Sequence, residues 1–129
     1  MAKLTSLLYA DHIITEDNGK KSAIGIFSQI SSFEFPVITL PWGIYFSFAD
    51  IEEKQKFKLD MVSLDDQSSI LSFEGEFSNV KDDDRTIEVS IMLPNVTFKK
   101  PGVYVGRVFL EGKLLGEKVL LVKKIEPQK

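Results

Sequence analysis

Residues 101–122 read PGVYVGRVFLEGKLLGEKVLLV. Pro101-Gly102 opens an apolar run, Glu111-Gly112-Lys113 interrupts it, and Leu115 to Val122 resumes it. Glycine accepts the backbone angles of a tight turn, so the stretch predicts two antiparallel strands folded back on each other. In the first strand Tyr104, Val108 and Leu110 share one face, and Val103, Val105, Arg107 and Phe109 share the other. Both faces carry apolar weight, so one is core and the other is expected to be covered too. Arg107 is one of two arginines in the chain. Set among Val105 and Phe109, it needs a carboxylate partner such as Glu88 or Glu117.

The segments upstream must pack against this hairpin, and most are strands as well. Leu4 to Thr15 and Lys20 to Ile30 flank Asp17-Asn18-Gly19, a hairpin turn. Gly25 within the return strand marks a bulge or a close approach of another backbone. Pro36 and Pro41 bracket Val37 to Leu40, a loop or edge strand, because proline removes a ladder donor. From Trp42 to Ala49, Trp42, Ile44, Phe46 and Phe48 alternate with Gly43, Tyr45, Ser47 and Ala49. Gln55 to Leu64 sets Phe57, Leu59 and Met61 against Lys56, Lys58 and Asp60; Val62 and Leu64 break the phase, which predicts a bulge near Met61. Ile70 to Phe77 and Thr86 to Leu93 alternate in the same way, joined by a charged turn at Val80 to Arg85. No helical period is sustained. The chain therefore reads as an all-β protein, an antiparallel sandwich of 7–8 strands, with a small β-barrel as the alternative. Residues 1–125 form a single domain and 126–129 a flexible tail.

A chain of 129 residues buries roughly two-thirds of its unfolded surface without metal or disulfide. The absence of cysteine removes thiolate chemistry and cysteine-ligated zinc. Residues 50–88 carry twelve acids against five bases, a net of −7 where the whole chain has −3. That acidic middle, with two arginines in all, argues against a nucleic-acid binder. Neither a signal peptide nor a membrane span is visible, which gives the expectation of a soluble, cytoplasmic protein.

Three stretches carry a family resemblance. They are Ala10-Asp11-His12 with Asn18-Gly19-Lys20 and Ser22 to Phe27; Phe98 with Pro101-Gly102-Val103-Tyr104; and Leu110-Glu111-Gly112-Lys113. Together they resemble a bacterial family of small, single-domain, uncharacterised proteins with an immunoglobulin-like sandwich. The resemblance implies that fold over nearly the whole chain, and no activity or catalytic residue.

Candidate chemistry is sparse. His12 is the single histidine, and a triad would also need a positioned nucleophile and an orienting acid; it reads as structural. Asp65-Asp66 and Asp82-Asp83-Asp84 offer oxygens but lack the spaced loop of a calcium site, so they read as solvated turns. Glu74 and Glu76 lie about 7 Å apart on one face of a strand, opposite Phe73 and Phe77, and are expected to face water. Lys56 and Lys58 read as edge guards. Phe33, Phe35, Trp42 and Tyr45 concentrate aromatic surface around two prolines, able to anchor a partner or stack on a sugar. The expectation is a non-enzymatic binding or assembly module without metal or cofactor. A protein partner or a homodimer would bind through Phe33, Phe35, Trp42, Tyr45, Arg107 and Phe109. A carbohydrate-binding module on the exposed aromatics is the second reading, and a carboxylate-dependent hydrolase the third.

Overall fold

The computed structural model describes residues 2–52, 54–78 and 86–127; Asp82-Asp83-Asp84 lie outside them. The strands are β1 (Lys3–Thr15), β2 (Lys21–Phe27), β3 (Gln29–Ser32), β4 (Val37–Ile38), β5 (Trp42–Ala49), β6 (Lys56–Ser63), β7 (Ser69–Glu76), β8 (Thr86–Leu93), β9 (Thr97–Phe98), β10 (Gly102–Leu110) and β11 (Lys113–Lys124). They build a four-stranded sheet in the order β2-β1-β5-β8 and a five-stranded sheet in the order β3-β11-β10-β6-β7, with β4 and β9 paired at one end. Two separate sheets make a sandwich, not a barrel. Among the described residues, no helix is long and apolar enough to cross a membrane.

The closing hairpin forms as its sequence predicts, on a two-residue turn. Glu111 and Gly112 both have positive φ, 50° and 79°, which matches the right-handed twist of the flanking strands. β11 starts at Lys113, and its register with β10 shifts between Val108 and Phe109, leaving Leu115 as the extra residue. Tyr104, Val108, Leu110, Leu120 and Val122 turn inward and meet Tyr9, Trp42, Ile44, Phe46 and Phe48 of the other sheet. The aromatic rings meet mostly edge to face, as at Phe46 and Phe48, 5.7 Å apart and 90° between planes, an arrangement that adds to simple burial.

Tyr9 ties the two layers together. Its hydroxyl crosses the core and donates to the Lys118 carbonyl at 2.6 Å. Gly106 makes room, since a Cβ there would lie 2.5 Å from that hydroxyl. Burial pushes the Tyr9 phenol far above its ordinary value, because the ionised form would be stranded in the core.

Three departures from the sequence reading have physical causes. Lys20 to Ile30 is not one strand: it ends at Phe27, and after Ser28 the chain joins the other sheet as β3, parallel to β11. The Ser28 carbonyl accepts from Leu121 N–H at 3.0 Å, so the crossover already belongs to the second sheet. The bulge expected near Met61 is present, but Ile70 of β7 is the residue without a partner. Val62 points outward and pairs with Val105. Gly25, with φ of 72°, sits against the Asp11 carboxylate: a Cβ would fall 2.4 Å from it.

Candidate functional site

The outward face of the five-stranded sheet is built by three registers. Lys56 stands opposite Glu76 and Lys58 opposite Glu74 across β6 and β7. Phe109 stands opposite Lys58, and Arg107 opposite Asp60, across β10 and β6. Arg107 also stands opposite Glu117 across β10 and β11, and its Nε donates to the Glu117 carboxylate at 3.0 Å. Of the two partners expected for this arginine, Glu117 is the one in place. Val105 and Val62, outward-pointing neighbours of the same face, are buried, whereas Val119 and Leu114, opposite Val105 and Phe109 on β11, are 50 and 45 % exposed, so this side of the hairpin is covered only in part.

Beside the Arg107 pair lies a shallow depression of about 650 Å³, lined by Phe109 and Phe57 and rimmed by Lys56, Lys58, Glu74 and Glu76, with Asp60 beyond Lys58 on β6. Gly75 lies between the two glutamates; a Cβ there would point inward, within 2.5 Å of the Phe57 ring packed against the core. The two lysines and two glutamates stand in two columns of opposite sign, and Asp60 stands opposite the uncharged Ser72. Among the described residues the ion pairs within 4.0 Å are Arg107–Glu117 and Lys100–Asp66, so neither lysine of the rim closes on its facing glutamate. Solvent-facing lysine and glutamate side chains gain little by pairing and lose rotamer freedom when they do.

The other sequence candidates do not converge. Trp42 is 2 % exposed and its Nε1 donates to Thr39 Oγ1 at 3.1 Å; it belongs to the core. Phe35 is half-buried against the core, and Phe33 is 55 % exposed on its own. Tyr45 faces out from the opposite sheet, where its hydroxyl donates to the Glu88 carboxylate. Burial and that carboxylate both raise its phenol. The four rings therefore share no platform. His12 is exposed, paired with Ile24. Asp66 accepts from Ser68 N–H and Ser68 Oγ at 2.9 and 2.6 Å, bonds that hold its carboxyl below the usual range with a smaller contribution from Lys100. That is the geometry of a turn. Of the residues singled out in the sequence, Arg107 and Phe109 lie on this face. The sequence placed Glu74 and Glu76 on a solvated face and Lys56 and Lys58 as edge guards, although β6 is interior to its sheet; the signal that joins the four is the pairing of β6 with β7.

Strand order defines the class of protein. β1, β5 and β8 form one layer and β6, β7, β10 and β11 the other, the A-B-E and C-C′-F-G arrangement of an immunoglobulin-like sandwich. Tyr104, at the start of β10, donates its hydroxyl to the Lys100 carbonyl at 2.6 Å, the tyrosine corner of such sandwiches. The chain belongs to DUF6941, a family of unknown function, whose match runs over residues 5–123. This agrees with the resemblance seen in the sequence to an uncharacterised immunoglobulin-like family. No curated protein matches it. Among solved structures it is similar to an immunoglobulin-like protein from Pseudomonas aeruginosa, at 15% identity, over 95% of this chain and 96% of that one, with a TM-score of 0.45.

Proposed function

We propose that the chain is a non-catalytic module that binds a protein partner on the outward face of the five-stranded sheet. The observation that carries this reading is the depression at Phe109, with its two columns of unclosed charge. An aromatic ring among small openings supplies the desolvated anchor on which binding energy concentrates. Charges of both signs around it select a partner by complementarity and set the encounter rate. The Arg107–Glu117 pair holds the neighbouring surface in one arrangement.

A photo-crosslinking amino acid at Ser72, on the exposed edge strand beside the depression, tests the reading in native lysate. Thr15, exposed on the other sheet, serves as the control position. The expected result is a discrete protein adduct from position 72, lost in Phe109→Ala and absent from position 15. Equal labelling from both positions would overturn the reading.

A further inference from the structure

The same depression specifies its occupant when its charges are considered as a pattern. A surface that meets its own copy across a two-fold axis must be complementary to itself. Lys56 faces Glu76 and Lys58 faces Glu74 in register, so the basic and acidic columns run side by side at matched heights. They are about 5 Å apart across the strands, with about 7 Å between successive charges. A two-fold axis parallel to the strands, passing between β6 and β7, exchanges the columns. Each lysine then lies over the partner's glutamate at its own height, and no like charges meet. We infer that the occupant of this face is a second copy of the chain, docked about that axis; the inference rests on the binding-face reading above. Phe109, one strand further in than the lysines, then borders the outer edge of the partner's β7. The overlap of two eight-residue strands is below the roughly 800 Å² per partner of a standard interface, so the dimer is weak and reversible. Because its contacts are surface charges, salt weakens it.

Charge exchange tests this directly. Lys56→Glu/Lys58→Glu makes both columns acidic, and Glu74→Lys/Glu76→Lys makes both basic, while Asp60 lies over the partner's Ser72 position in either case. Sedimentation velocity is run on the wild type, each variant and their equimolar mixture, up to high micromolar concentration. At low salt the wild type is expected to dimerise. Each variant alone loses at least about tenfold in self-association, and the mixture recovers a heterodimer at least as tight as the wild type. Raising salt to about 0.5 M dissolves both dimers. If circular dichroism shows that a double variant does not fold, Lys58→Gln and Glu74→Gln are used, each expected to weaken the dimer about threefold. A mixture that fails to associate, or a dimer indifferent to these substitutions, overturns the inference. A wild type that stays monomeric at low salt overturns it too. If crosslinking from Ser72 then still captures a protein, the binding face stands and the second copy is removed as its occupant.

Discussion

The two outward faces of this sandwich solve the same problem in opposite ways. On the four-stranded sheet, Ile26, Ala10, Gly43 and Met92 form one register row across all four strands. Ile24, Ile26 and Met92 are 53, 62 and 46 % exposed, which on hydropathy alone would make this the docking surface. Yet its gaps are filled from within. Ile13 is buried and reaches over Gly43, where a Cβ would lie 2.9 Å from its Cδ1 and 2.6 Å from Met92 Sδ. The polar groups of this face are closed as well, Thr5 with Ser47 at 2.7 Å and Tyr45 with Glu88. On the five-stranded sheet Val62 and Val105 are buried while Val119 and Leu114 are 50 and 45 % exposed, and the four charges of the rim stay open. Unsatisfied complementarity, not exposure, distinguishes the face proposed to take a partner.

The largest effect is expected at the join both faces depend on. Gly106→Ala drives a methyl into the Tyr9 hydroxyl and should cost about 3 kcal/mol by overpacking and loss of the inter-sheet hydrogen bond, read as a lower urea midpoint. Ile13→Ala strips the cover from Gly43. Unfolding should fall by about 2 kcal/mol and dye binding to exposed apolar surface should rise, with self-association unchanged. An increase in self-association would transfer the docking role to the four-stranded sheet.

Alkaline pH acts on Tyr9. Its folded pKa is raised above the unfolded value of about 10, so the stability it contributes is complete below pH ~10 and declines as the unfolded chain ionises above it. The loss should reach about 1.4 kcal/mol per pH unit, seen in urea midpoints between pH 9 and ~11, and Tyr9→Phe should flatten that slope. Arg107→Ala has the smallest expected effect on folding, about 0.5 kcal/mol, because its pair with Glu117 is partly exposed. A much larger loss would mean that the outward face is held by this pair and not by Val62 and Val105.

Local pattern carried the strands, and long-range pairing carried the site. The alternation from Trp42 to Ala49 and the closing hairpin were legible because a period of two reports which side chains share a face. Arg107 could be matched to Glu117 because both lie on one hairpin. The switch at Ser28 was not legible: Ile30 continues the apolar pattern of Ile24 and Ile26, and nothing in a single strand says which sheet it joins. The Lys56–Glu76 and Lys58–Glu74 rows needed the register of β6 on β7, which the unpaired Ile70 adjusts beyond Met61. Trp42 counted among the aromatic candidates around the prolines, but it shares the phase of Ile44, Phe46 and Phe48, and that inward phase of β5 decided its burial.

The most direct test compares both faces in one sample. Amide chemical shifts of the labelled wild-type protein are followed at low salt as it is diluted from high to low micromolar concentration. Shifts are predicted at Lys56, Lys58, Glu74, Glu76 and Phe109, with Ile24, Ile26 and Met92 unmoved. Shifts confined to Ile24, Ile26 and Met92, or no concentration dependence anywhere, would contradict docking of a second copy on the five-stranded face.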